Sequence, residues 1–416
     1  MVTQNDEAWI SDNSVSGECE WSVPPLSVSD LKLQIKGKFN RIEIYYPQRI
    51  ISYATARIIH RIDDELSVDG ALLTSNTVKD AVEISTVVSG GYEAFIPFDK
   101  KADVSLSKEA SRVNGAAGVT FKGGKNSLKP YLTVRYDGTI FKTDSMSTDE
   151  FSDTYSQDKR DVLHVFSGSA GLTFNPVLNT SAGINISRRK QLPSFYQLFG
   201  DRGLSLGNPS LKPEDARIAE LFFRSFINHG WLSMNFEAAC FYNYTIDAIV
   251  SYTYMTGGQL RWINADGFSN LGFEINFAQN LGNRFHVSLS GTLQNPIIHS
   301  KNYYSEAYDG KRMPGESKYT AIPKLAVDLT KNVEVWYSVK FQGDYFSDQY
   351  NDRTFHYFPA SNLHNAGITF KLLKNFEFYS RFENLTNIQN FDAYGHPVPG
   401  RMIFAGVQIK GSENKQ

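Results

Sequence analysis

The residues that could carry chemistry here are eight histidines, two cysteines and a few acidic clusters, and their spacing points away from catalysis. No His-x-x-x-His or His-Glu-x-x-His spacing puts two imidazoles on one helix face, so no zinc site is readable. There is no Gly-x-Ser-x-Gly elbow and no glycine-rich phosphate loop. Asp63-Asp64-Glu65 could hold a cation, but an acidic strand end facing water is the simpler reading. Nothing around Cys19 or Cys240 has metal or redox spacing. Cys240 falls on the apolar face of an alternating run and reads as a small buried or lipid-facing residue; a Cys19–Cys240 bridge stays open as an alternative. The chain therefore reads as a non-enzyme, with no metal site and no cofactor.

The aromatic side chains are the better functional candidates. Tyr252, Tyr254 and Trp262 flank one tip; Tyr303, Tyr304 and Tyr308 share a long connection with Arg312; Tyr345, Phe346, Tyr350, Phe355, His356 and Tyr357 surround another. Rigid rings with a few polar tips suit capture of a flat, partly apolar ligand. The candidate contacts are Tyr254, Trp262, Tyr304, Tyr308, Arg312, Tyr350 and His356. The bland alternative is an interfacial girdle, which places the same residue types beside strand ends.

These candidates need a scaffold, and the sequence indicates one made of strands. The chain has 416 residues, 41% hydrophobic and 21% charged, so it is neither disordered in type nor a helical membrane protein. Phe (29) and Tyr (22) dominate the aromatics, which favours strands. A net charge of −2 gives no sign of a nucleic-acid partner. No run of about 18 apolar residues exists, which leaves a membrane barrel open, because barrel strands face lipid only at every second residue. Leu232, Met234, Phe236, Ala238, Cys240 and Tyr242 alternate with mostly polar neighbours. Phe285 to Leu293 and Val333 to Phe341 do the same. A period of two gives each strand one apolar and one polar face.

The connections set the architecture. Short turns at Asn228–Gly230, Gly282-Asn283, Lys331-Asn332 and Lys374-Asn375 alternate with long loops at about 190–212, 298–320, 347–361 and 386–400. That order predicts an all-β, antiparallel up-and-down transmembrane β-barrel with short turns on one rim and long loops on the other. About nineteen strands are readable, within an expected 18–22. Residues 1–30 read as an irregular segment, 31–410 as the barrel and 411–416 as a polar tail. In the first half, Gly37, Pro47, Gly70 and Gly90-Gly91 read as breaks between short strands. The N-terminus is acidic and lacks an apolar export segment, so either a signal was removed or the chain begins inside a longer gene.

Two stretches carry a family signature. The first is Pro193-Ser194-Phe195-Tyr196-Gln197-Leu198-Phe199, followed by Gly207-Asn208-Pro209-Ser210-Leu211-Lys212-Pro213-Glu214. The second is Asn384-Leu385, followed by Gly395, Pro397, Pro399, Gly400 and Arg401. In this order they resemble the β-barrel of TonB-dependent outer-membrane receptors. The resemblance implies energy-coupled uptake of a scarce nutrient, most readily an iron–siderophore chelate. It implies outer-membrane lipid as surroundings, and an inner-membrane energy-coupling partner if a plug domain lies upstream, since no plug fits into residues 1–30. The alternative is a plug-less passive porin or adhesin-like barrel, or a truncated receptor fragment that does not transport. The motif residues read as fixing loop shape, with Glu214 and Arg401 as a candidate pair inside the lumen or at its rim.

Overall fold

The computed structural model describes residues 9–23, 29–52, 55–78, 82–100, 110–124, 127–143, 159–200, 205–253, 260–282, 284–301, 306–347, 350–354, 357–373, 376–389 and 399–409. The first strands are β1 (Trp9–Val23), β2 (Ser29–Ser52), β3 (Thr55–Val78), β4 (Val82–Asp99), β5 (Ala110–Gly123), β6 (Leu128–Thr143), β7 (Lys159–Phe174) and β8 (Thr180–Gln191). A short helix α1 (Phe195–Phe199) and a two-residue strand β9 (Ser205–Leu206) precede β10 (Glu214–His229), β11 (Leu232–Thr253), β12 (Leu260–Leu281) and β13 (Phe285–His299). Then come β14 (Tyr319–Thr330), β15 (Val333–Gln342), the hairpin β16 (Tyr345–Phe346) and β17 (Tyr357–Phe358), β18 (Ser361–Leu373), β19 (Phe376–Glu383) and β20 (Met402–Ile409). One sheet holds eighteen of these strands; apart from β9, which lies parallel to β12, the other seventeen run antiparallel to their sequence neighbours in an up-and-down wall. Among the described residues no register joins β20 to β1.

The two faces of the wall differ as the alternation requires. Leu132, Val134, Ile186, Leu221 and Leu293 point outward and are about half exposed. Apolar side chains repeated in this way across a sheet match a hydrocarbon solvent, not water. The opposite face carries polar chains that cross strands. Tyr131 Oη donates to Asn185 Oδ1 (3.2 Å), and Asn185 Nδ2 donates to Glu220 Oε1 (3.1 Å), linking β6, β8 and β10. Inner-face rings also lie over glycines of the neighbouring strand. Phe241 faces Gly272 and Phe222 faces Gly183, leaving no room for a Cβ at either glycine. On the outer face, Gly70, Gly90, Gly115 and Gly138 stand opposite one another in one row across β3, β4, β5 and β6.

The inner face is concave. Phe95 on β4 stacks on Phe195 and Phe199 of the α1 segment (5.8 Å each), while Trp262 on β12 packs on the cluster of Leu198, Leu211 and Ile249 beside them. β4 and β12 are seven strand spacings apart, about 34 Å along the sheet at ~4.8 Å each. They meet one small cluster only because the sheet curls around it.

The short turns at Asn228–Gly230 and Lys331-Asn332 separate strands where the sequence places them, and the described parts of the long loops lie between the expected strands; Asn283 and Lys374-Asn375 lie outside the described residues. The tight turns after β10 and β12 use Gly230 (φ +58°) and Gly282 (φ +61°). The first half differs. Trp9–Val23, expected to be irregular, is β1, paired along its length with β2. Gly37, Gly70 and Gly90-Gly91, expected to be breaks, lie inside β2, β3 and β4, and Gly17 faces Gly37 as Gly70 faces Gly90. Asp63-Asp64-Glu65 is not a strand end; it lies within β3, where Asp64 is bound bidentately by Arg41 (2.6 and 2.7 Å).

Candidate functional site

The long connection from β8 to β10 folds back onto the concave face. A five-residue helix has too few internal hydrogen bonds to stand alone, so α1 depends on its cap and its anchors. Ser194 caps it: its Oγ accepts from Gln197 N (3.2 Å), and Gln197 Oε1 accepts from Ser194 N (2.9 Å). Phe195 and Leu198 are buried, and Phe195 stacks with Phe95, Phe141 and Phe199. Arg112 lies over the Phe195 ring at 4.8 Å, donates to the carbonyl of buried Pro193 (3.0 Å), and is paired with Glu93 (2.5 Å). One guanidinium thus ties the loop to β4 and β5.

The rest of the first motif closes the loop. Asn208 Nδ2 donates to the Trp262 carbonyl (2.8 Å), and its Oδ1 accepts from Ser210 N (3.0 Å). Gly207 leaves no space for a Cβ against the backbone of Leu198 and Phe199. Leu211 is buried in the cluster with Leu198 and Ile249, where Phe199 also packs. Pro209 is exposed, and Pro213 is half-buried just before β10. Asn264 holds both backbone groups of Lys212. Glu214 Oε1 accepts from Ile249 N (2.7 Å).

The second motif is a local knot. Asn384 is buried at φ +51°; its Nδ2 donates to the Ile388 carbonyl and its Oδ1 accepts from Ile388 N, both at 2.9 Å. Leu385 N donates to the His364 carbonyl (2.8 Å). Asn387 Oδ1 accepts from Arg401 N (3.0 Å) and fills the space beside Gly400. Pro399, Gly400 and Arg401 are exposed; Gly395 and Pro397 lie outside the described residues. Among the described residues Glu214 and Arg401 form no ion pair. That expectation is corrected, since the Glu214 carboxylate is already bonded to the backbone of β11.

The rim loops after β13 and β15 have their own core, and it takes in three of the seven candidate ligand contacts, Tyr308, Arg312 and Tyr350. Tyr308 is 2% exposed and packs with Val250, Ala265 and Ile298; Tyr350 meets it edge-on at 5.2 Å. Arg312 is 8% exposed. It donates to the Asp344 carbonyl and carboxylate (2.8 Å each), lies over Phe346 at 4.8 Å, and its backbone exchanges two hydrogen bonds with the Asn351 side chain. Hydrogen bonding from Arg312 holds the Asp344 carboxyl below the usual carboxylate range. Tyr308 and Arg312, expected at a ligand, instead hold two loops together, because a loop this long needs a core of its own. Tyr254, Tyr304 and His356 lie outside the described residues. Trp262 remains on the concave face, edge-to-face with Tyr196 at 6.2 Å. Tyr196 is 41% exposed. Tyr196 is not among the candidate contacts the sequence offers, since its motif reads as fixing loop shape; within α1 Phe195 and Leu198 are buried and Tyr196 is exposed.

Residues 75–390 match the family described as TonB dependent receptor-like, beta-barrel. Solved structures share the fold. The siderophore receptor PiuA from Acinetobacter baumannii matches with a TM-score of 0.77 at 14% identity, over 97% of this chain and 65% of its own. The copper transporter OprC matches with a TM-score of 0.79 at 12% identity, over 95% and 65%. The ferric citrate transporter FecA matches with a TM-score of 0.74 at 13% identity, over 96% and 62%. The chain thus spans a little under two thirds of the length of these receptors.

Proposed function

Because the chain belongs to the TonB-dependent receptor-like β-barrel family, a family of outer-membrane proteins, we propose that it forms the wall of a receptor that takes up a scarce nutrient. The ligand we assign is an iron–siderophore chelate, driven inward by a coupling partner in the inner membrane. The observation that carries this reading is the Tyr196–Trp262 pair, offered on the concave face beneath the rim loops. An exposed ring beside an indole suits a flat chelate with apolar faces. The siderophore receptor and the ferric citrate transporter among the structural relatives support the ligand class, and the copper transporter marks the metal as the variable to test.

Isothermal titration of the purified protein in detergent tests it, with catecholate, hydroxamate and carboxylate ferric chelates and with a copper chelate. One ferric chelate binds saturably, and the Tyr196→Ala/Trp262→Ala double variant binds it roughly tenfold or more weakly. Saturable binding of the copper chelate alone replaces the iron assignment; binding of none removes the receptor reading.

A second reading, a passive wall, is favoured by one observation: β1 and β20 are not paired with each other among the described residues. Iron accumulation in receptor-deficient cells separates the two. Uptake that collapses when the proton gradient is removed belongs to the receptor, and gradient-independent equilibration belongs to the passive wall.

A further inference from the structure

The outward face of the wall has a trough of about 730 Å³ running across β6, β7, β8, β10 and β11. Its lining includes the small residues Gly168 and Ala170 on β7 and Ala219 on β10, with Ile186 of β8 standing between Ala170 and Ala219. Leu132 and Tyr242 bound it at either side. Larger outward side chains, Leu132 and Val134 on β6 and Tyr242 and Tyr244 on β11, stand at its two sides, and the short side chains of β7 and Ala219 leave the space between them.

The end of the trough nearest the long-loop rim is cationic. Arg188 and Arg217 stand directly opposite each other on β8 and β10, one step rimward of Ile186 and Ala219. Lys190 follows on β8, opposite Asp215. Asp215 is the one carboxylate in this group, and Arg188 engages it bidentately (2.5 and 2.9 Å). The exposed Arg217 guanidinium makes no hydrogen bond or ion pair among the described residues. Like charges directly opposite on a sheet repel. Two cationic charges in excess of one carboxylate, at the edge of an apolar belt, call for an anion.

We propose that this trough seats a phosphate-bearing lipid of the outer leaflet. Its phosphate lies between Arg188 and Arg217, and an acyl chain lies along Gly168, Ala170 and Ala219. The charges select the headgroup, since guanidinium forks match phosphate oxygens. The apolar floor selects a chain attached to it, and the rimward position of the arginines places the headgroup in the outer leaflet.

Native mass spectrometry of the detergent-released full chain tests this, with diphosphoryl lipid A as the probe. Its dephosphorylated form and inorganic phosphate are the comparisons. The wild type retains one lipid A. Arg217→Ala weakens retention roughly tenfold, Arg217→Lys restores part of it, and the exposed Lys371→Gln leaves it unchanged. Ala219→Trp, which fills the floor and keeps every charge, also loses the lipid. Circular dichroism confirms that each variant is folded. Equal retention of the dephosphorylated lipid overturns the headgroup assignment. Full retention by Ala219→Trp, or displacement of the lipid by inorganic phosphate alone, reduces the feature to an anion site and overturns the proposal.

Discussion

A side chain's role in this protein depends on which core it joins. Arg312 and Tyr308 look, as sequence, like ligand-binding residues in a long loop, and no pattern in the chain says that the loop carries a core. Burial inside an irregular segment has no period, so it cannot be read off. Asn208 and Asn384 were more legible, because asparagine beside proline or in a tight turn has few uses other than bonding backbone. Replacing Arg312 by Met removes two charge-assisted hydrogen bonds to Asp344 and should cost roughly 1–3 kcal/mol of loop stability. Faster hydrogen exchange across 306–318 and 343–347, with the strands unchanged, would show it. The same pair gives a pH dependence. Asp344 has a lowered carboxyl pKa in the folded loop. Its contribution is therefore complete above the unfolded Asp value of about 3.9 and is lost as pH falls through the lower folded value. Near-UV circular dichroism of the loop aromatics should show an acid transition that Asp344→Asn abolishes.

Strands of the second half were legible because each side of the wall has one solvent, giving clear alternation along β11, β13 and β15, with short turns on one rim and long loops on the other. In β2, β3 and β4 that signal fails. Their glycines face one another across the ladder instead of turning the chain, and their inner faces carry lysines and acids that mimic loop composition. The helix α1 was invisible as a helix, since five residues hold no periodicity; only the cap Ser194 and the flanking Pro193 mark it. Phe195→Ala should free it, at a cost of about 3–4 kcal/mol locally, seen as lost exchange protection at 195–200 while β4 and β6 keep theirs. Two glycine substitutions separate crowding from exposure. Gly272→Ala collides with Phe241 and should lower the denaturant midpoint of the folded protein in lipid. Gly115→Ala meets nothing within 4 Å and should leave it unchanged or raise it. If both lower it equally, the ring-over-glycine pairs do not contribute as described.

The whole molecule is a curled wall with oil on its convex side. Both cysteines are free and exposed, Cys19 opposite Ile35 and Cys240 opposite Leu221 and Phe273, on the apolar side. In vesicles a lipid-soluble maleimide should therefore label Cys240 while a charged, membrane-impermeant one does not. A cysteine placed at Glu237, which alternates onto the inner face, should show the reverse preference. Equal labelling of both by the charged reagent would mean that the convex side is wet, and the bilayer assignment would fall. The row of glycines from Gly70 to Gly138 also shapes the surroundings of the wall. At Gly70, Gly90 and Gly115, on three adjacent strands spanning about 10 Å at ~4.8 Å per spacing, no side chain lies within 4 Å, while the Tyr136 ring stands beside Gly138; the peptide groups there are already satisfied within the ladders. Neighbouring hydrocarbon tails can settle there against bare main chain, so the shell of boundary lipid should be dented inward on that flank.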